Sequence, residues 1–332
     1  MILLETAVAV GVSFVFALVA LPYWISRSRA HNLLIQDAQK VPHRRVPYLA
    51  GLIVVFGAVL GVLSYVFMQT FVYLGKDRIT VLLAAVGTIL IALIIGIIDD
   101  LLGERIGLRQ YQKPILTLGA AIPMVVVNAG EKFMTFPFIG IVTLGNFYPF
   151  VIVPLGIIGA TNGFNIVAGV NGLEAGMGII ILSTLGYVAW AAEGFTVAVI
   201  ALCMVAALIP FLWYNRFPAR ILPGNGLTYA VGAAIAVVAI VGNLERAALL
   251  LFIPYFIEFF LKLRGWFQKE SLARPLADGS LVNAYKHWYS LNHVAISLLR
   301  ALKGKAREWE VTILLLVFEL LIAGGVLFLY WK

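Results

Sequence analysis

Apolar stretches of about 17–25 residues recur from one end of this chain to the other, and each could cross a ~30 Å hydrocarbon layer as a helix. Of the 332 residues, 62% are hydrophobic and only 12% are charged. That composition is more apolar than a soluble globular domain requires. The sequence therefore predicts an all-α, polytopic integral membrane protein embedded in a lipid bilayer, and it excludes a soluble fold.

The spacing of the stretches predicts about ten transmembrane helices in a single transmembrane domain, residues 1–332. We expect them near 3–26, 48–69, 80–98, 113–129, 146–162, 176–192, 195–214, 226–243, 246–264 and 310–330. With both termini outside, 19 of the 24 Lys and Arg residues fall in alternate loops, near 27–47, 99–113, 162–175, 214–225 and 262–309. Because cytoplasmic loops collect Lys and Arg, these five loops are expected to face the cytoplasm. The net charge of +8 is then explained by loops and anionic headgroups, without a nucleic-acid partner.

An acidic pair, Asp99-Asp100, follows the third apolar stretch directly. Ionisable residues at the edge of a span are costly and are functional by default. Two adjacent carboxylates can supply oxygen ligands to Mg²⁺, which favours one or two carboxylates together with substrate phosphates. The alternative is a solvated charge pair with Arg105 or Arg109 as partner.

The segment 162–176 is the most informative motif in the chain. It holds four glycines that would weaken a continuous helix, and non-helical backbone near a membrane is tolerated only where it lines a polar cavity. Asn162, Asn165 and Asn171 offer oxygen and amide groups for a metal, a phosphate or a base edge. The alternative is a glycine-mediated helix-packing face, which does not require three asparagines.

Basic residues and a further turn complete the candidate set. Lys113 begins the span after the acidic pair, and Lys40 lies in the first basic loop. Either could neutralise phosphate, or each could be an interfacial anchor whose charge reaches the headgroups. The turn Pro223-Gly-Asn225 precedes a span, and a helix N-terminus with free N–H groups can bind an anion.

These segments, in this order, resemble the polyprenyl-phosphate N-acetylhexosamine-1-phosphate transferase superfamily. Asn165-Ile-Val-Ala-Gly-Val-Asn-Gly-Leu-Glu-Ala-Gly176 is similar to its eukaryotic and archaeal branch, the UDP-GlcNAc–dolichyl-phosphate GlcNAc-1-phosphate transferases. Supporting similarity lies in Asp37–Lys40, in Asp99–Lys113 and in Arg220–Asn225. The resemblance extends over most of the chain.

The resemblance implies catalytic and metal-binding roles. Asn165, Asn225 and Asp100 would hold Mg²⁺, with Mn²⁺ as an alternative, against the nucleotide pyrophosphate. Lys113 would bind phosphate, and Asp99 with Asp100 would organise the lipid phosphate and the metal.

The resemblance also implies a substrate-binding set. Asn171, with the backbone around Gly172 and Leu173, would read uracil, and Arg274 would cover the pyrophosphate and sugar. The remaining expected substrate-binding residues are Lys40, Asn162, Glu174 and Leu222.

The chain departs from the family pattern at three positions. Asn225 stands where the family usually has Asp, which removes one negative charge from the expected metal site. Tyr48 replaces a common Glu, and Leu222 replaces an aromatic residue of eukaryotic members.

The implied reaction is transfer of GlcNAc-1-phosphate from UDP-GlcNAc to a dolichyl-type polyprenyl phosphate, with release of UMP, as the first step of lipid-linked oligosaccharide synthesis. The expected location is the plasma membrane of an archaeon, with the active site facing the cytoplasm, and a homodimer is left open. Direct attack by the lipid phosphate is favoured over a route through phosphorylated Asp99. The alternatives are a secondary transporter or lipid flippase, because broken helices also occur there, and a non-catalytic homologue marked by Asn225.

Overall fold

The computed structural model describes residues 2–41, 44–73, 78–106, 108–136 and 140–331. Residues 42–43 and 107, which belong to two of the expected loops, lie outside these ranges. The helices within the described residues are α1 (Ile2–Ala30), α2 (Ala50–Phe67), α3 (Ile79–Ile106), α4 (Gln112–Val126), α5 (Val153–Ile166), α6 (Leu173–Ala191), α7 (Phe195–Asn215), α8 (Gly224–Gly242), α9 (Glu245–Leu251), α10 (Ile253–Arg264), α11 (Leu291–Lys303) and α12 (Glu308–Leu329).

Eight helical segments of the described chain are long and apolar enough to cross a membrane, and the protein is a polytopic helical membrane protein. They are α1, α2 with its π-helical extension to Val72, α3, α5 with the π-helical turn before it, α6, α7, α8 and α12. Each of the ten expected positions is helical. The other two differ in length: α4 has only 15 residues, and the span expected at 246–264 is divided into α9 and α10 at Phe252. Pro254 lies in the first turn of α10, where its missing N–H and ring favour a new helix start.

Three small two-stranded antiparallel sheets lie between the helices, which the all-α prediction did not include. The strands are β1 (Leu34–Asp37) with β2 (Arg44–Pro47), β3 (Phe133–Phe136) with β4 (Gly140–Thr143), and β5 (Arg274–Pro275) with β6 (Leu281–Val282). Strands of two to four residues leave almost no periodic signal in a sequence.

Helix α8 is the most deeply buried span, and it packs against α3, α5, α2 and α7. Glycines allow this close approach. A Cβ on Gly96 of α3 would lie 2.5 Å from the backbone oxygen of Asn225, and a Cβ on Gly51 of α2 would lie 2.4 Å from the backbone nitrogen of Leu227. The end of α3, which carries the acidic pair, is thereby placed directly beside the N-terminus of α8.

Candidate active site

The carboxylate of Asp100 binds the N-terminus of α8. Its Oδ1 accepts the backbone N–H of Asn225 at 2.9 Å, and its Oδ2 accepts that of Gly226 at 3.2 Å. These N–H groups have no partner within the helix, and the positive end of the helix dipole favours an anion there. Gly224 precedes them with φ +73°, and a Cβ at this position would lie 2.6 Å from Asp100 Oδ2.

The neighbouring Asp99 is only 6% exposed and has three donors. Its Oδ1 accepts the backbone N–H of Leu108 at 3.1 Å, and its Oδ2 accepts Lys113 Nζ at 2.7 Å and Asn225 Nδ2 at 2.9 Å. The acidic pair is therefore not a solvated charge pair: the cation at Asp99 is Lys113, and the side chain of Arg105 lies outside the described residues. Two adjacent carboxylates thus differ in function, since one is neutralised by a lysine and the other binds a helix end.

A cavity of about 320 Å³ lies beside this end of α3 and α8. Its wall contains six residues that the sequence singled out: Asp100, Asn165, Asn171, Glu174, Leu222 and Asn225. The first loop contributes the wall from Ile35 to Gln39, and the segment after α10 contributes Leu272. Residues far apart in the sequence, from four loops and the ends of five helices, therefore meet at one cavity.

The Asn/Gly segment forms a loop, 167–172, between α5 and α6. Gly169 has φ +111° and Gly172, the N-cap of α6, has φ +85°, a region that residues with a Cβ rarely adopt. The Gly172 N–H is bound by Asn215 Oδ1 at 3.0 Å, and the Gly169 N–H by Glu174 at 3.4 Å. Gly169 and Gly172 are therefore used for a turn between two helices, whereas Gly176 is a packing position, because a Cβ there would lie 2.6 Å from the Leu316 side chain of α12.

Asn171 is fixed on all sides although it lines the cavity. Its backbone N–H donates to Glu308 at 2.8 Å, its backbone oxygen accepts from Thr312 at 3.1 Å, and its Oδ1 accepts the Ala219 N–H at 3.1 Å. The side-chain amide nitrogen is then its remaining donor. Leu173, its near neighbour at the start of α6, is buried.

The other two asparagines of the motif occupy different positions. Asn165 lines the cavity, and its Oδ1 accepts from Thr228 Oγ1 at 2.6 Å. Thr228 also donates to the backbone oxygen of Asn225 at 3.1 Å, so α5 and α8 are linked at the cavity. Asn162 lies outside the cavity and donates to Thr117 at 2.8 Å. Thr117 in turn donates to the backbone oxygen of Lys113, so Asn162 supports the turn that carries Lys113.

Lys40, Leu222 and Arg274 differ in how close they lie to the cavity. Lys40 binds Asp37 at 3.3 Å and also binds Glu308 at the start of α12. Leu222 lines the cavity, and its backbone N–H donates to Pro47 at 2.9 Å. Arg274 is exposed in β5 and is not part of the cavity wall.

Sequence reasoning assigned no role to Gln39, Asn215, Glu308 or Asn292, which hold the wall together. Gln39 donates to the backbone oxygen of Gly169 and accepts the Ala273 N–H at 3.2 Å, so it joins three loops. Asn292 donates to the backbone oxygen of Ala168 at 2.9 Å. Glu308 could have been identified from the sequence, because it is an acidic residue at the start of an apolar span. A single Asn or Gln in a polar loop gives no such indication.

The oxygen groups of the wall are those that a hard divalent cation prefers. The described residues contain no group of three His, Cys, Asp or Glu side chains that could enclose a metal. Asp100, Asn165 and Asn225 do line one cavity, and together they carry one carboxylate and two amide oxygens. One carboxylate with neutral oxygens suits Mg²⁺, which takes its remaining ligands from water and substrate phosphates.

Tyr48 also lines the cavity. Burial, and secondly the charge of Asp100, raise the pKa of its phenol above the ordinary value. A neutral hydroxyl therefore stands at the position for which the family resemblance implies a common Glu.

The structure is that of a polytopic membrane protein with a polar cavity at its helix ends, and the chain belongs to glycosyl transferase family 4, whose model matches residues 82–243. A protein of Saccharolobus solfataricus is 31% identical over 314 residues, which cover 94% of this chain and 92% of that relative. It is provisionally named UDP-N-acetylglucosamine–dolichyl-phosphate N-acetylglucosaminephosphotransferase. The resemblance inferred from the sequence is confirmed at the level of the family.

Two further relatives show the breadth of the similarity. The UDP-N-acetylglucosamine–dolichyl-phosphate N-acetylglucosaminephosphotransferase of Dictyostelium discoideum is 26% identical, over 84% of this chain and 76% of its own length. The phospho-N-acetylmuramoyl-pentapeptide-transferase of Lactobacillus acidophilus is 28% identical, over 77% of this chain and 81% of its own length.

Proposed function

We propose that the protein transfers GlcNAc-1-phosphate from UDP-GlcNAc to a dolichyl-type polyprenyl phosphate and releases UMP, the first step in building a lipid-linked oligosaccharide. The observation that carries the proposal is the meeting of Asp100, Asn165, Asn171 and Asn225 around one cavity, with the Asp99–Lys113 pair directly behind it. The name of the relative that covers 94% of the chain supports the same substrates.

In this proposal, Asp100, Asn165 and Asn225 would hold Mg²⁺, which when bound would neutralise charge on the nucleotide pyrophosphate. The protein's own part is positioning. Among the described residues, the donors on the Asp100 oxygens are two backbone N–H groups, so Asp100 can exchange one of them for a cation without breaking an ion pair. Thr228 holds the Asn165 and Asn225 segments at a fixed separation.

Lys113 and Asn225 meet on the same oxygen of Asp99. A phosphate that approaches Asn225 from the cavity is therefore also close to a lysine charge. An oxygen of the lipid phosphate attacks the sugar-bearing phosphorus, the bond from that phosphorus to the bridging oxygen breaks, and UMP leaves. A phosphate monoester with its second pKa near 6 is mostly dianionic at neutral pH, so the nucleophile needs no strong base.

Asp99 is poorly arranged to be a phosphorylated intermediate. It is buried, outside the cavity wall, and both its oxygens accept hydrogen bonds. Attack by Asp99 would require it to lose Lys113 or Asn225. Direct transfer to the lipid phosphate is the simpler route, with Asp99 as the residue that positions Lys113.

Asn171 is the proposed reader of uracil. Its fixed backbone and its Oδ1 bond to Ala219 orient the side-chain amide nitrogen as a donor for a base carbonyl. Leu222 and Leu272 add apolar surface on the same wall, against which a base can lie.

The transporter alternative fits the geometry less well. Substrate sites of secondary transporters lie near the bilayer midplane between broken helices. Here the polar residues lie at the ends of α3, α5, α6 and α8. We propose that this end faces the cytoplasm, where nucleotide sugars are found, and that the membrane is the plasma membrane of an archaeon.

The test is UMP release by the purified protein supplied with UDP-GlcNAc and dolichyl phosphate, in Mg²⁺ or in EDTA. We expect release that needs both lipid and metal and that is lost in D100N. D278N serves as the comparison and should release UMP like wild type, because Asp278 is an exposed aspartate that lies outside the cavity wall. Binding of UDP-GlcNAc without UMP release, whichever lipid phosphate is supplied as acceptor, would instead identify a non-catalytic homologue. Absence of binding would remove the transferase proposal.

A further inference from the structure

A second, smaller cavity lies where α7 ends. Its volume is about 210 Å³, and it is lined by Trp213, Arg216, Phe217, Pro218 and Arg220. None of these residues lines the first cavity. The two sites are nevertheless neighbours, because Ala219, in the same turn, donates its N–H to Asn171.

The two arginines have no acidic partner within the described residues. A positive charge at the C-terminus of a helix interacts favourably with the dipole, which accounts for Arg216. Arg220 lies beyond the helix, and this explanation does not extend to it. Both side chains are exposed, so two unneutralised guanidinium groups share one concave surface.

Trp213 gives this surface a membrane-facing side. Its indole is 59% exposed in the last turn of a span, and Trp is typical of the interface between hydrocarbon and headgroups. The Arg216 guanidinium lies 3.7 Å from the centre of the Trp213 ring. Stacking uses the face of the guanidinium and leaves its N–H edge for a bidentate phosphate contact.

We propose that Trp213, Arg216 and Arg220 form a binding site for the phosphate of an anionic membrane lipid. Arg216 and Arg220 supply the positive charge. The Arg216 guanidinium, stacked on Trp213, presents its N–H donors in a fixed orientation. The indole places the site at the depth of the lipid headgroups. Ligand binding would hold the 216–220 turn, whose Ala219 N–H fixes Asn171. The proposal stands on this cavity alone and does not depend on the transferase reaction.

Native mass spectrometry of the full-length protein, released from nanodiscs with equal amounts of phosphatidylglycerol and phosphatidylcholine, tests the site. We expect wild type to retain phosphatidylglycerol selectively and R216A/R220A to lose the selectivity. Two basic residues at a membrane surface predict about 30-fold weaker retention. R27A is the matched control, because Arg27 is an exposed arginine that also lies over an aromatic ring, that of Tyr23, at the end of another span.

A second variant covers the case in which R216A/R220A does not fold. R216K/R220K keeps both positive charges but lacks the planar guanidinium groups. We therefore expect its selectivity for phosphatidylglycerol to lie between that of wild type and that of R216A/R220A. Equal retention of phosphatidylglycerol by wild type and R216A/R220A, or equal loss in R27A, would overturn the proposal. Competition by millimolar inorganic phosphate as effective as that by lipid would show that free phosphate is the ligand, which also overturns the lipid assignment. Displacement only by a polyprenyl phosphate would assign the cavity to the substrate lipid instead.

Discussion

Replacing Asn225 by aspartate isolates the feature in which this site departs from its family. Asn225 Nδ2 donates to Asp99 Oδ2 at 2.9 Å, and its backbone N–H donates to Asp100. In N225D the donor becomes a third carboxylate that faces Asp99. The substitution therefore removes one charge-assisted hydrogen bond and adds a like-charge contact.

The magnitude follows from the contact distance. Two charges about 4 Å apart repel by about 4 kcal/mol at an effective dielectric constant of 20. The lost hydrogen bond to a charged group is worth about 1.5–3 kcal/mol. The destabilisation of N225D cannot much exceed the cost of protonating the new carboxylate, which removes the repulsion. For an ordinary aspartic acid at pH 7 that cost is about 4 kcal/mol. We expect N225D to be destabilised by about 2–4 kcal/mol in EDTA.

A divalent cation reverses this penalty if the site binds one. Binding to the folded state alone stabilises it by mass action, and a metal site with carboxylates at positions 100 and 225 attracts Mg²⁺ more strongly than one with Asp100 alone. Thermal unfolding in detergent should show N225D below wild type in EDTA, with a larger rise in Tm when Mg²⁺ is added. Without metal, the penalty should be present at neutral pH and shrink as the pH falls toward 5, because protonation removes the repulsion.

N162D is the matched control. Asn162 also donates through its amide, to Thr117, but lies outside the cavity wall. It should be destabilised without any added response to Mg²⁺. Equal stability of N225D and wild type in EDTA would refute the electrostatic reasoning. An Mg²⁺ response no larger than that of N162D would refute the metal site.

Three further outcomes follow from contacts of single residues. E308Q should weaken UDP-GlcNAc binding by about tenfold, measured by calorimetry, because a charged acceptor of the Asn171 N–H becomes neutral. G172A should lower stability by about 1–2 kcal/mol, since φ is +85°, whereas G119A should not, because no atom lies within 4 Å of a Cβ there. E319L should raise Tm without loss of activity, because both carboxylate oxygens of Glu319 are buried without a partner among the described residues; a loss of activity with normal folding would show a functional acid.

The helices could be predicted because membrane spans carry a strong, redundant signal. Ten apolar stretches were expected, and each of the ten positions is helical in the structure. The break at Phe252 was missed although Pro254 was visible in the sequence, because mean hydropathy over a window is insensitive to one residue. The hairpin of β1 and β2 was missed for a different reason. Strand β2 ends at Pro47, whose backbone oxygen accepts the N–H of Leu222 at 2.9 Å, and no local pattern contains a contact between residues so far apart in the sequence.

The candidate site could be predicted only where residue type and position along a span were both unusual. Asp100, Asn165 and Asn225 satisfied this condition and line the cavity. Arg274 was expected from the family resemblance; it lies outside the cavity wall, and its contact with the substrate stays a prediction. Gln39, which joins three loops, is an ordinary amide in a polar loop, and its role becomes visible only when those loops are brought together.

The membrane itself explains why this chemistry is placed at helix ends. Within the bilayer every backbone N–H is used inside its helix, so free donors for an anion remain only at N-termini. One helix N-terminus and one loop meet at the cavity, and carboxylates accept their N–H groups: Asp100 at the start of α8, and Glu174 and Glu308 at Gly169 and Asn171 of the loop before α6. These carboxylates hold positions that suit phosphate oxygens. In the proposed reaction a pyrophosphate oxygen would accept the N–H groups of α8, and Asp100, released from them, would be free to hold a divalent cation. The helix end and the acid would then exchange partners without leaving a charge unpaired.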